Sequence, residues 1–188
     1  HTHSWEDISL ASWLKYPSDN RPDVLSVDLI DREYDPETGI LTATRLVIMQ
    51  DKLPALLTKV NIHLPVPRAP ADPPEQIFGS NECICVERSI VDSKNKRMVL
   101  QSQNISYDNV VTIEETCMYT PNAENPNHTD FKQTALVHAY PYGVSGRIEK
   151  FLSSKFVKNA PLGRVIMEAT VKRVEYEATL KEVFANLK

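Results

Sequence analysis

The apolar and polar positions of this chain fall into three successive rhythms. The first is helical. Ser4-Trp5-Glu6-Asp7 reads as a helix start, with Ser4 as the capping hydroxyl and an acidic residue three places on. The helix is predicted to reach about Tyr16, where Pro17 and the Ser18-Asp19-Asn20 cluster end it. The second rhythm has a period of two. Val24–Arg32 places Leu25, Val27 and Leu29 on one face and Ser26 and Asp28 on the other, a half-buried strand. Asp35-Pro36-Glu37-Thr38-Gly39 is turn chemistry, and Ile40–Gln50 returns as the second arm of a hairpin. Strand patterns resume at Glu82–Asp92, Arg97–Ser106, Val110–Thr120 and Phe131–Tyr140, joined by short polar connections. Such connections make an antiparallel meander.

The third rhythm is helical again and long. From Val144 to Lys188, Val144, Ile148, Phe151, Leu152 and Phe156 form an apolar stripe at helical spacing. A wheel with 3.6 residues per turn puts Lys155 and Asn159 inside that stripe. An ammonium aimed at an apolar interior needs an anionic partner, either a carboxylate of the chain or a bound ligand. Pro161 removes a backbone donor and disfavours helix at Ala160. Two helical parts, Val144–Ala160 and Leu162–Lys188, are therefore expected. The resulting class is α+β, a curved antiparallel sheet burying its apolar face against the final helix.

Between hairpin and meander the pattern breaks. Leu53–Leu64 is a short apolar segment opened by Pro54 and compatible with a few helical turns. Pro65-Val66-Pro67-Arg68-Ala69-Pro70-Ala71-Asp72-Pro73-Pro74 can be neither helix nor central strand. The stretch at about 61–80 reads as a proline-rich loop inserted into a single domain covering 1–188.

Composition narrows the function classes. The 188 residues are 41% hydrophobic and 24% charged, as in ordinary globular domains. The net charge of -4 argues against a nucleic-acid binder that works through a general basic field. No apolar run approaches the roughly 20 residues of a membrane-spanning helix, while contact with a membrane surface stays open. Nothing at the N-terminus has the pattern of a signal or transit peptide. Three cysteines, Cys83, Cys85 and Cys117, are too few and too irregular for a disulfide framework or a zinc site, and read as buried free thiols. No Gly-rich phosphate loop occurs among five glycines, and the five histidines lack metal-ligand spacing. Glu114 and Glu115 are adjacent in a strand and face opposite ways, so they make no acid–base pair. Neither enzyme chemistry, a cofactor nor a metal is expected. The notable signal is inward cations: Arg45 on the face of Ala43, Val47 and Met49, and Lys155 with Asn159 on the final helix. Lys15 and Lys52 stand at the ends of neighbouring elements. An apolar cavity with cations near its mouth suits an amphiphile with an anionic head.

Several segments carry a resemblance. Lys15-Tyr16-Pro17, Val24-Leu25-Ser26-Val27-Asp28, Asp31-Arg32, Thr44-Arg45-Leu46 and Leu53-Pro54 resemble the PRELI-domain family. So do Glu87-Arg88-Ser89-Ile90-Val91-Asp92 and Ser102-Gln103-Asn104-Ile105-Ser106. Asn159-Ala160-Pro161-Leu162-Gly163-Arg164 and Met167-Glu168 look most like its slowmo branch. The resemblance implies a START-like fold, in which a seven-stranded sheet wraps the C-terminal helix around a lipid cavity. It implies transfer of single phospholipids between the mitochondrial outer and inner membranes. It also implies residence in the intermembrane space and a small twin-cysteine helical chaperone as heterodimer partner. Phosphatidylserine is the lipid associated with the slowmo branch and phosphatidic acid with its relatives. Lys15, Arg45, Lys52, Lys155 and Asn159 match positions lining the family's head-group pocket. Leu53–Leu64 matches the start of its lid, whose Leu53, Leu56 and Leu57 are then the expected membrane contacts. The chain departs from the family pattern in starting just before Trp5, where most of a first strand is missing, and in its long proline-rich stretch. Leu162 stands where relatives often carry lysine, and Asp23 where the phosphatidic-acid branch can have histidine.

Overall fold

The computed structural model describes residues 1–50 and 82–185. Lys52, Leu53, Leu56, Leu57 and the proline-rich stretch lie outside the described residues. Helix α1 (Trp5–Leu14) begins where Ser4 Oγ accepts the Asp7 backbone N–H at 3.2 Å, the expected cap. Six strands follow among the described residues: β1 (Val24–Asp35), β2 (Ile40–Gln50), β3 (Glu82–Asp92), β4 (Arg97–Asn104), β5 (Val111–Pro121) and β6 (Thr129–Ala139). They form one antiparallel sheet whose spatial order is the chain order, β1-β2-β3-β4-β5-β6. Helix α2 (Ser145–Ala185) is the last described element. Class and architecture are those expected from the pattern: a curved antiparallel sheet with a long C-terminal helix.

Three local features differ from the pattern. In β1, Leu25 and Leu29 do not form an inward face with Val27, being 45% and 50% exposed. The pairing with β2 slips between Val24 and Ser26 and again between Leu29 and Asp31. A bulge inserts one residue and reverses alternation, so Val24 and Val27 share the concave side instead. Strand β4 stops at Asn104, because the side chain there leaves the ladder. Asn104 Nδ2 donates to the carbonyls of Ser106 and Val111, both at 2.8 Å, and Oδ1 accepts the Ile113 N–H at 2.7 Å, tying β4 to β5.

The third difference is α2, a single helix that runs through Pro161 where two parts were expected. Packing on both sides of the proline holds it in line. Ile148 and Leu152 sit against Val111 of β5 and Ala139 of β6. Met167 and Val171, further along, belong to a second cluster with Trp5, Ile8 and Ala11 of α1, Met98 and Leu100 of β4, and Tyr119 of β5. Trp5 Nε1 donates to the Tyr119 carbonyl at 3.2 Å, fixing α1 on the sheet. Phe151, assigned to the inward stripe by spacing, is 40% exposed. The buried side of the helix there is the Ile148–Leu152 line.

Candidate functional site

Between the two clusters the concave face of the sheet does not meet α2. A cavity of about 350 Å³ is left there, walled by β1 to β6, the segment after α1 and the middle of α2. Its apolar wall includes Val24, Val27, Val47, Met49, Ile113 and Leu152. Four of the predicted head-group residues, Lys15, Arg45, Lys155 and Asn159, line it together. They come from four places in the chain: the end of α1, β2, and two successive turns of α2. The fifth, Lys52, is not among the described residues.

The cations are not equivalent. Arg45 is buried, and Glu87, its direct neighbour across the β2–β3 ladder, answers its charge. Nε donates to Glu87 Oε1 at 2.9 Å, and Nη2 to the same oxygen. Nη1 donates to the Trp13 carbonyl at 3.1 Å, and the guanidinium lies 4.9 Å from the Trp13 ring centre. Arg45 thereby satisfies a carbonyl at the C-terminal end of α1, where a cation is favoured. A carboxylate of the chain therefore holds Arg45.

Lys155 is half-buried at the rim, its ammonium 5.4 Å from the Phe151 ring centre. Its field also reaches Asp23 across the cavity. Asp23 accepts two close bonds from Arg21, Nε to Oδ1 at 2.7 Å and Nη2 to Oδ2 at 2.6 Å. Those bonds, with a lesser contribution from Lys155, hold the Asp23 carboxyl below its ordinary range. Lys15, also half-buried, stands 5.2 Å from the Tyr16 ring centre, and no carboxylate pairs with it among the described residues. Asn159 is exposed on the same helix face one turn beyond Lys155.

Pattern reading missed the anions. Glu115 of β5 turns into the cavity while Glu114 is exposed, as adjacent strand residues must. Its Oε1 accepts from Gln133 Nε2 and from Cys117 Sγ, the latter at 3.6 Å. Among the described residues no cation pairs with it. Burial, and after it the Glu115 charge, pushes the Cys117 thiol up to about 12, while Lys15 acts in the opposite sense. Lys15 and Glu115 therefore both stand close to Cys117. Period-two spacing carried the signal: Cys83, Cys85 and Glu87 on β3, and Glu115, Cys117 and Tyr119 on β5, are inward series containing a carboxylate. None of the three thiols is in a disulfide, and each is half-buried rather than buried.

Comparison with known proteins gives the chain's relatives. Residues 6–177 match the PRELI-like family. The "Protein slowmo homolog" of Dictyostelium discoideum is 38% identical over 178 residues, 95% of this chain and 71% of that protein. "PRELI domain-containing protein 1, mitochondrial" of Gallus gallus is 29% identical over 98% of this chain and 79% of the relative. Its Homo sapiens counterpart is 28% identical over 98% and 78%.

Proposed function

This chain belongs to the PRELI-like family, and on that premise we propose that it is a carrier that binds one phospholipid and transfers it between mitochondrial membranes without altering it. The proposed lipid is phosphatidylserine. The location is the intermembrane space and the partner is a small twin-cysteine helical chaperone, both following from the family resemblance. The "mitochondrial" in the names of the chicken and human relatives supports the compartment.

One observation carries the choice of lipid. The cavity wall holds a half-buried ammonium, Lys15, and a half-buried carboxylate, Glu115, neither ion-paired among the described residues. A phosphate alone would be repelled by Glu115, whereas a head group that adds an ammonium satisfies both signs. Lys15 and Lys155 then take the phosphate through charge-assisted hydrogen bonds, and Glu115 Oε2 takes the ammonium. The polar head is held in the cavity of about 350 Å³. The chains extend past it along the apolar wall, shielded from water at about 25 cal/mol per Å².

The test is transfer of fluorescent lipid between liposomes, with and without the chaperone. Phosphatidylserine is expected to move faster than phosphatidic acid. Lys155→Glu should slow both, by about tenfold or more if one charged hydrogen bond is lost. Glu115→Gln should slow phosphatidylserine and leave phosphatidic acid unchanged or faster. Transfer of both lipids unaltered in Lys155→Glu removes the pocket assignment. A sterol or aromatic compound as the extracted ligand in mass spectrometry replaces the carrier reading with a receptor for that molecule.

A further inference from the structure

Strand β3 presents two thiols to the cavity. Cys83 and Cys85 are two residues apart, so alternation puts both on the concave face, and their Sγ atoms lie 4.0 Å apart. Both are half-buried and neither is in a disulfide. The register supplies a third sulfur. Met49 pairs with Cys83 across the β2–β3 ladder and lines the same cavity. Residues directly opposed in an antiparallel pair have Cβ atoms about 4.5–5.5 Å apart, within reach of an unbranched thioether with three rotatable bonds.

This arrangement has the dimensions of a metal site. Two sulfurs bonded at about 2.3 Å and spread by the roughly 120° of trigonal ligation stand about 4.0 Å from each other. Thiolates with a thioether select Cu(I) among biological cations. Harder ions lack donors: among the described residues no three His, Cys, Asp or Glu side chains are grouped to hold one. Cys117 belongs elsewhere on the sheet. It pairs with Leu100, which pairs with Ser89, four residues along β3 from Cys85. Binding displaces a proton from each thiol, and the resulting single negative charge faces a cavity that also holds the Lys15 and Lys155 ammonium groups.

We propose that Cys83, Cys85 and Met49 form a binding site for one Cu(I) ion in the cavity wall. The site does not depend on which lipid, if any, the cavity carries. The experiment is anaerobic titration of the reduced chain against Cu(I) held by bicinchoninate, followed by X-ray absorption of the loaded protein. One equivalent of copper should be withdrawn, with three sulfur neighbours at about 2.3 Å. Cys83→Ser and Cys85→Ser should each abolish uptake, Met49→Leu should weaken it about tenfold, equivalent to about 1.4 kcal/mol, and Cys117→Ser should leave it unchanged. No copper withdrawn, uptake retained when both Cys83 and Cys85 are serine, or only two sulfurs around copper in the unaltered chain would each overturn the proposal. The absorption measurement on the unaltered chain decides the matter even where a serine variant fails to fold.

Discussion

On strand β4, Met98 and Leu100 are buried under α1 in a solid apolar cluster, while Ser102, on the same face one step further, borders empty space. Strand β5 repeats the change. Tyr119 is packed in the cluster, Cys117 lies at its edge, and Glu115 stands in the cavity. The two regions share strands, face and curvature. What separates them is whether a helix rests on the sheet: α1 and the Met167–Val171 part of α2 cover one stretch, and the middle of α2 passes over the next without filling it. The inward positions follow suit, apolar where they meet a helix and increasingly polar or charged where they do not. A solid core and an open cavity thus occupy adjacent lengths of the same strands.

The sharpest way to break that comparison is to make one truncation in both regions. Met98→Ala, at a fully buried site, should cost about 2–5 kcal/mol, whereas Met49→Ala on the cavity wall should cost less than half as much, because it enlarges a space already present. Equal losses in denaturant unfolding would mean that the cavity wall is packed as tightly as the cluster.

A second variant asks to which region Arg45 belongs. It lines the cavity but also bonds to α1 and Glu87. Arg45→Met should destabilise by about 3 kcal/mol, since it leaves a carboxylate buried without its partner. Adding Glu87→Leu should recover most of the loss. If Arg45→Met instead left stability intact and only impaired lipid binding, Arg45 would belong to the ligand site.

The smallest expected effect is a pH dependence at the rim. Asp23 is held below its ordinary value of 3.8, mainly by the hydrogen bonds from Arg21. A carboxyl lowered by folding contributes stability that is complete above its unfolded pKa and fades as pH falls through the lowered one. Asp23→Asn should therefore reduce stability slightly at neutral pH and flatten the curve below pH 3.8. Side-by-side melts of the two chains from neutral to acid pH measure it.

How far the sequence foretold this can be judged residue by residue. The β3 boundaries and the chain-order meander were legible, because alternation and turn chemistry are local. The inward face of β1 was not, since a bulge is a property of the pair and leaves no mark on the strand itself. Arg45 and Lys155 were legible as cations on apolar faces. That Glu87 answers Arg45 depends on register across a gap of 42 residues, and pattern within one strand carries no register. Glu115 was set aside for want of an acid–base partner. Its meaning emerged only once the cavity and the absence of a paired cation around it, among the described residues, were visible.

Helix α2 is supported like a beam on two piers. One is the Ile148–Leu152 contact with β5 and β6, the other the Met167–Val171 contact with α1 and the sheet. The span between them carries Pro161, without an amide hydrogen, and Gly163, a poor helix former by about 1 kcal/mol. Helix-weakening residues are tolerated there because nothing beneath depends on their packing. The span should flex while both piers hold, letting the cavity roof breathe without loosening the sheet. Hydrogen exchange of the intact chain should show it: amides from Val157 to Gly163 exchanging faster than those at either pier, and slowing when the cavity is filled.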